Sequence, residues 1–149
     1  MKSLFNPTVN KEMIDRILKL NAENKPFWGK MSAAQMIAHS QAPFKVAFEE
    51  LKLKRGMIGI LFGGIAKKKM LGPDPFGKNL PTDKSFKING QPDFDKEKNK
   101  LIEYVLRFAK AGHDGITKEA HPFFGKMKPE EWDTLMYKHL DHHLRQFGG

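Results

Sequence analysis

The residues from 129 to 147, PEEWDTLMYKHLDHHLRQF, repeat their apolar and histidine positions every three or four residues, a spacing that only an α-helix gathers onto one side. Trp132, Leu135, Met136, His139, His143 and Phe147 form that stripe, and Asp133, Lys138, Asp141 and Arg145 are expected on a solvated opposite face. Pro129 suits the first helical position, where its missing N–H is not needed, and Glu130 and Glu131 place negative charge at the positive end of the helix dipole. His139 and His143 therefore face inward, roughly 6 Å apart along the axis. Two imidazoles so placed can reach a single metal ion, and they can equally be hydrogen-bonded core residues, so a third ligand decides. Leu140 stands where a zinc protease would carry its glutamate, which disfavours protease chemistry of that kind.

The same periodicity recurs three times. Asn10 to Leu20 reads as a first helix, with Asn10 as N-cap and Met13, Ile14, Ile17 and Leu18 as its apolar stripe. The short aromatic connection Phe27-Trp28-Gly29-Lys30 should pack over one end of the fold. A second helix starts at Ser32, which forms a capping box with Gln35, while Met31 and Met36 supply the hydrophobic staple. Met36, His39 and Pro43 lie along one side of it, beside Ile37, Phe44 and Phe48. Pro43 cannot donate to the carbonyl of His39, so a kink is expected there. A third helix runs from about Asp95 to Ala111, with Leu101, Ile102, Val105, Leu106 and Phe108 inward and Gly112 as its end.

The segment GMIGILFGGIA lies between Lys52, Lys54 and Arg55 on one side and Lys67, Lys68 and Lys69 on the other. It is too short to span a bilayer, and a short buried helix is preferred over an interfacial one because no charged face runs along it. Leu71 to Asp93 is a long irregular connection, with Phe76, Leu80, Phe86 and Ile88 as anchors to the body. Gly115 to Lys128 is a second irregular link, and neither an internal repeat nor a strand pattern is present.

A chain of 149 residues is expected to form one domain over residues 1–149. It has no cysteine, which leaves only nitrogen and oxygen ligands for any metal. The charge of +9 is carried mainly by dispersed lysines, with arginine only at Arg16, Arg55, Arg107 and Arg145. That pattern suits a solvated basic surface, and nucleic-acid binding is not expected. The start, MKSLFNPTVNKEM, has no apolar run of signal-peptide length, so a soluble, cytoplasmic protein without a membrane span is expected.

Four amphipathic helices predict an all-α four-helix bundle. The long crossover between helices two and three favours an up-down-down-up order, which sets the start of helix two beside the end of helix four. His39 then meets His139 and His143 at one end of the bundle. His121 lies roughly 20 Å from the far end of helix four and is not expected as a ligand. His142 points a quarter turn away from His143, exposed or supporting the site, and His113 falls in a loop. Gln146, one turn beyond His143, is placed to orient a ligand or water, or only to bond at the surface. Trp28 is either a pocket wall or core packing.

WGKMSAAQMIAHS, with its early-helix histidine, and the terminal HLDHHLRQ together resemble the DinB/YfiT-like superfamily, and HPFFG, EEW and KHLDHHLRQFG resemble most a branch of it without assigned activity. The resemblance covers essentially the whole chain. It implies an up-down-down-up bundle with a metal ion held by three histidines, which map onto His39, His139 and His143. Superfamily members with assigned activities include metal-dependent thiol S-transferases and a thiol-dependent isomerase. The implied cofactors are a divalent transition metal, zinc or nickel first, and a low-molecular-weight thiol, with a small-molecule substrate. This chain departs in having no acidic residue recognisable as a fourth ligand or general base. Three neutral imidazoles leave coordination positions open, as catalytic sites do. Two functions stand: a metal-dependent transferase or small-substrate hydrolase, and a non-catalytic bundle stabilised by its metal or histidine cluster, within a homodimer or other oligomer.

Overall fold

The computed structural model describes residues 2–149, apart from the side chain of Ile58. The described residues are helical and irregular, with no strand; a lone antiparallel bridge joins His121 to Gly125. The helices are α1 (Pro7–Lys19), α2 (Ala33–Ser40), α3 (Ala42–Ala47), α4 (Met57–Leu71), α5 (Phe94–Ala111) and α6 (Pro129–Gln146), with a single 3₁₀ turn at Lys84–Phe86. None is long and apolar enough to cross a membrane.

The first helix starts earlier than its apolar stripe suggested. Pro7 occupies the first turn, and the Asn6 side chain accepts from the N–H groups of Thr8 and Val9 at 2.9 and 3.2 Å. Asn10 is therefore not the cap. It is buried, and its Nδ2 donates to the carbonyls of Leu4 and Val105, tying the N-terminal segment to α5. Leu18 is exposed rather than part of the buried face.

α2 begins as expected. Ser32 Oγ accepts from Gln35 N–H at 3.2 Å while Gln35 Oε1 accepts from Ser32 N–H at 2.9 Å, so two orphan donors are satisfied reciprocally. The expected break also occurs: α2 stops at Ser40, Gln41 N–H turns back to the Ala38 carbonyl, and α3 resumes with Pro43 in its first turn. α5 is capped by Asp93 and ends at Gly112, whose φ of +58° favours glycine. Leu101, Val105 and Phe108 are fully buried, but Leu106, expected inward, lies about 140° round the helix from Leu101 and is exposed.

α6 carries the predicted stripe inward, against α2, α1 and α4. Its opposite face is not solvated throughout. Asp133 is buried and accepts the Leu4 N–H at 2.7 Å. Lys138 is buried too, and its ammonium donates to the carbonyls of Met70 and Gly72 at 2.6 and 2.7 Å, closing the end of α4.

α4 contradicts the expected buried helix. Met57, Ile60, Leu61 and Ile65 are 77%, 59%, 67% and 72% exposed. The reason lies on the other side: a Cβ at Gly63 would stand 2.2 Å from the Phe123 carbonyl oxygen, and one at Gly59 would stand 2.9 Å from that of Pro122. The glycine side sits directly on the 122–124 backbone, so the large side chains turn outward. In the long connection, Phe76, Phe86 and Ile88 are half-buried, whereas Leu80 is exposed and anchors nothing.

Candidate metal centre

His39 comes from α2, two turns after its cap, and His139 and His143 from successive turns of α6. The structure brings one ring nitrogen of each to within 4.8 Å of the other two. His39 and His143 are buried and His139 is half-buried. The ring centroids lie 5.1 Å apart for His39–His139, 4.8 Å for His39–His143 and 4.7 Å for His139–His143. Nε2 of His39 and Nε2 of His139 are 3.2 Å apart. Two nitrogens bound tetrahedrally to an ion at zinc-like distances would be about 3.3 Å apart, so this donor pair fits a shared ion.

Hydrogen bonds fix which nitrogens are available. His39 Nδ1 lies 2.8 Å from the Phe86 carbonyl, which can only accept, so Nδ1 carries the proton and the neutral ring keeps its lone pair on Nε2. His143 Nδ1 lies 2.8 Å from Gln146 Oε1. The orientation of that amide is set by its other end, since Nε2 donates to the Trp28 carbonyl at 2.6 Å. His143 Nδ1 is therefore the donor, and its Nε2 is also left free. Ligating histidines in metal sites are oriented in this way, by a partner on the second nitrogen.

Protonation agrees with this role. Burial lowers the His39 pKa against the Phe86 hydrogen bond, and burial with the nearby His39 lowers His143 to about 3. His139 is held well below the usual value by burial first and then by His143, His39 and His142. At neutral pH the cluster offers neutral imidazoles, the form that binds metal. No carboxylate belongs to the cluster among the described residues.

Around these three, the other residues separate. Gln146 is buried, with both ends of its amide engaged by protein, so it orients His143 rather than bonding at the surface. His142 is buried, not exposed: its ring packs against Trp28, Phe76 and His143 at centroid distances of 5.5, 6.0 and 5.1 Å. Trp28 is half-buried, with Lys78 Nζ over its ring and its indole N–H without a partner. A surface cavity of about 200 Å³ lies against Phe76, Tyr137, Lys138, Asp141 and Arg145, on the flank where Phe76 meets His142.

His121 stays outside the cluster. It is buried, accepts at Nδ1 from the N–H groups of Phe123 and Phe124, packs on Trp132, and has its pKa lowered by burial to about 4. His113 sits 3.5 Å from Glu130 at the surface.

Two supports were not foreseen. The Phe86 carbonyl is a main-chain group on a distant connection, and no residue type signals it. Gly29 did leave a signal in Trp28-Gly29: its φ is +81°, and a Cβ there would lie 2.8 Å from Gln146 Nε2. Glycine lets the backbone approach the amide that orients His143.

No curated protein and no solved structure matches the chain. Residues 1–148 match the model of the family described as protein of unknown function (DUF1569), and the chain belongs to that family.

Proposed function

We propose that the protein is a metal-dependent enzyme in which His39, His139 and His143 hold a divalent transition ion, zinc or nickel first, at one end of a single DinB/YfiT-like bundle of up-down-down-up order. The observation that carries this reading is the convergence of three neutral imidazoles, two of which have Nδ1 committed to Phe86 and Gln146 and a lone pair left on Nε2. Three protein ligands without a carboxylate form an open donor set, the pattern of catalytic sites. When bound, such an ion supplies Lewis acidity to a small molecule placed beside it.

The residues present also favour one chemistry. The three imidazoles are consumed as ligands, and the Gln146 amide is engaged at both ends, so no member of this set serves as general base. A nucleophile bound beside the ion would lose its proton without a protein base. The ion would lower the pKa of water and of a thiol alike, and a thiol, starting near 8.5 rather than 15.7, needs the smaller shift. Transfer of a low-molecular-weight thiol to a small electrophile is therefore preferred over hydrolysis. Trp28 and Phe76 pack on His142, whose ring in turn packs on His143, so one flank of the cluster is aromatic. The second reading, a cluster that only stabilises the fold, draws on the same 3.2 Å separation, because an N–H···N bond between His139 and His39 has that length as well.

Cobalt substitution tests the choice. One equivalent of Co(II) should give the visible bands of a low-symmetry nitrogen site, and addition of a small thiol should add a near-ultraviolet thiolate-to-cobalt charge-transfer band. A cobalt spectrum that no thiol or small anion perturbs would mean a closed site and would favour the stabilising role.

A further inference from the structure

α4 is a helix with an apolar outer side and a glycine inner side. Met57, Ile60, Leu61 and Ile65 recur at three- and four-residue steps and all stand in solvent, and Lys68 continues the same line one turn beyond Ile65. The inner side is fixed: Gly59 and Gly63 lie on the 122–124 backbone, Lys138 closes the C-terminal carbonyls, and Lys67 bridges to Glu131 at 2.7 Å and donates to the Lys126 carbonyl. The helix is thus held to the body with its apolar stripe presented outward, and soluble proteins rarely leave contiguous apolar surface uncovered.

Charge says what covers it. Between Glu50 and Asp74 the sequence has no acidic residue, while Lys52, Lys54 and Arg55 precede the helix and Lys68 and Lys69 end it, all exposed. Both ends of the stripe are therefore positive. A second copy docked stripe to stripe would bring positive ends together in the parallel and in the antiparallel arrangement alike. A flat anionic surface with an apolar interior matches both features at once. We propose that α4 is an interfacial helix that seats the protein on anionic lipid, lying parallel to the surface with Met57, Ile60, Leu61 and Ile65 at the acyl boundary and the flanking lysines among the headgroups.

Vesicle flotation tests this with the intact chain. Vesicles of equal phosphatidylglycerol and phosphatidylcholine should carry the protein upward, with at least ten-fold weaker association for pure phosphatidylcholine and a marked loss at high salt. Leu61→Asp with Ile65→Asp, and separately Lys68→Glu with Lys69→Glu, should each lower association at least ten-fold while circular dichroism stays unchanged, since all four side chains are in solvent. Binding indifferent to lipid charge and salt overturns the proposal even without a folded variant, as does binding indifferent to the folded variants. A concentration-dependent dimer in sedimentation that Leu61→Asp dissolves would also overturn it, by assigning the stripe to a second copy.

Discussion

Each histidine of the cluster is useful to a metal only as far as its ring is aimed. Gln146 holds His143 through Nδ1 and is itself held by the Trp28 carbonyl, so Gln146→Leu removes the orienting bond while leaving all three ligands in place. Loss of such a partner weakens metal binding by about 10–100-fold. Competition against a chromophoric chelator should show that drop with about one equivalent still bound at saturation; an unchanged affinity would mean that Gln146 does not aim His143. The three histidines are legible because helical periodicity names the inward positions, and the structure brings those of α2 and α6 together. Their hydrogen-bond partners were legible only in part. Gln146 is a side chain one turn from His143, whereas the Phe86 carbonyl belongs to a connection whose path no residue type specifies. Asn6 and Asn10 show the same limit: both can cap, and Pro7 at the first turn decides for Asn6.

Among the elements, α2 follows its sequence closely because its signals are local. The Ser32–Gln35 box and Pro43 act within a few residues, so they fix start and break without knowledge of the rest. α4 lies outside what its sequence specifies, because a run of apolar residues without a charged face gives no direction; its orientation is set by which side is small enough to touch the 122–124 backbone. Two neighbouring substitutions separate these effects. Gly63→Ala forces a methyl group against the Phe123 carbonyl and should destabilise by about 1–3 kcal/mol, as overpacking does. Gly64→Ala meets nothing within 4 Å and should stabilise by about 0.5–1 kcal/mol through helix propensity alone. Urea midpoints of the two variants should move in opposite directions; a shared direction would mean that α4 does not rest on its glycine side. Asp133 and Lys138 teach a related lesson, since charged residues assigned to solvent by helical phase are buried where distant main-chain groups need a partner.

In the molecule as a whole, polar function is gathered where α2, α6 and two connections meet. The 27–30 turn reaches Gln146, the 72–93 connection reaches His39, and the hydrophobic core fills the space between α1, α2, α5 and α6. This arrangement explains how His39, His139, His142 and His143 are retained near one another: packing and hydrogen bonds position them, and a shared cation would use the ring nitrogens that His39, His139 and His143 bring within 4.8 Å of one another. The ion is therefore the feature to measure. Elemental analysis of untagged protein beside the His39→Ala variant tests it most directly. Close to one equivalent of a transition metal is expected in the wild-type protein, with its loss in a variant of unchanged helicity. Wild-type protein without metal that takes up neither zinc nor nickel near neutral pH, or full occupancy retained in His39→Ala, would contradict it.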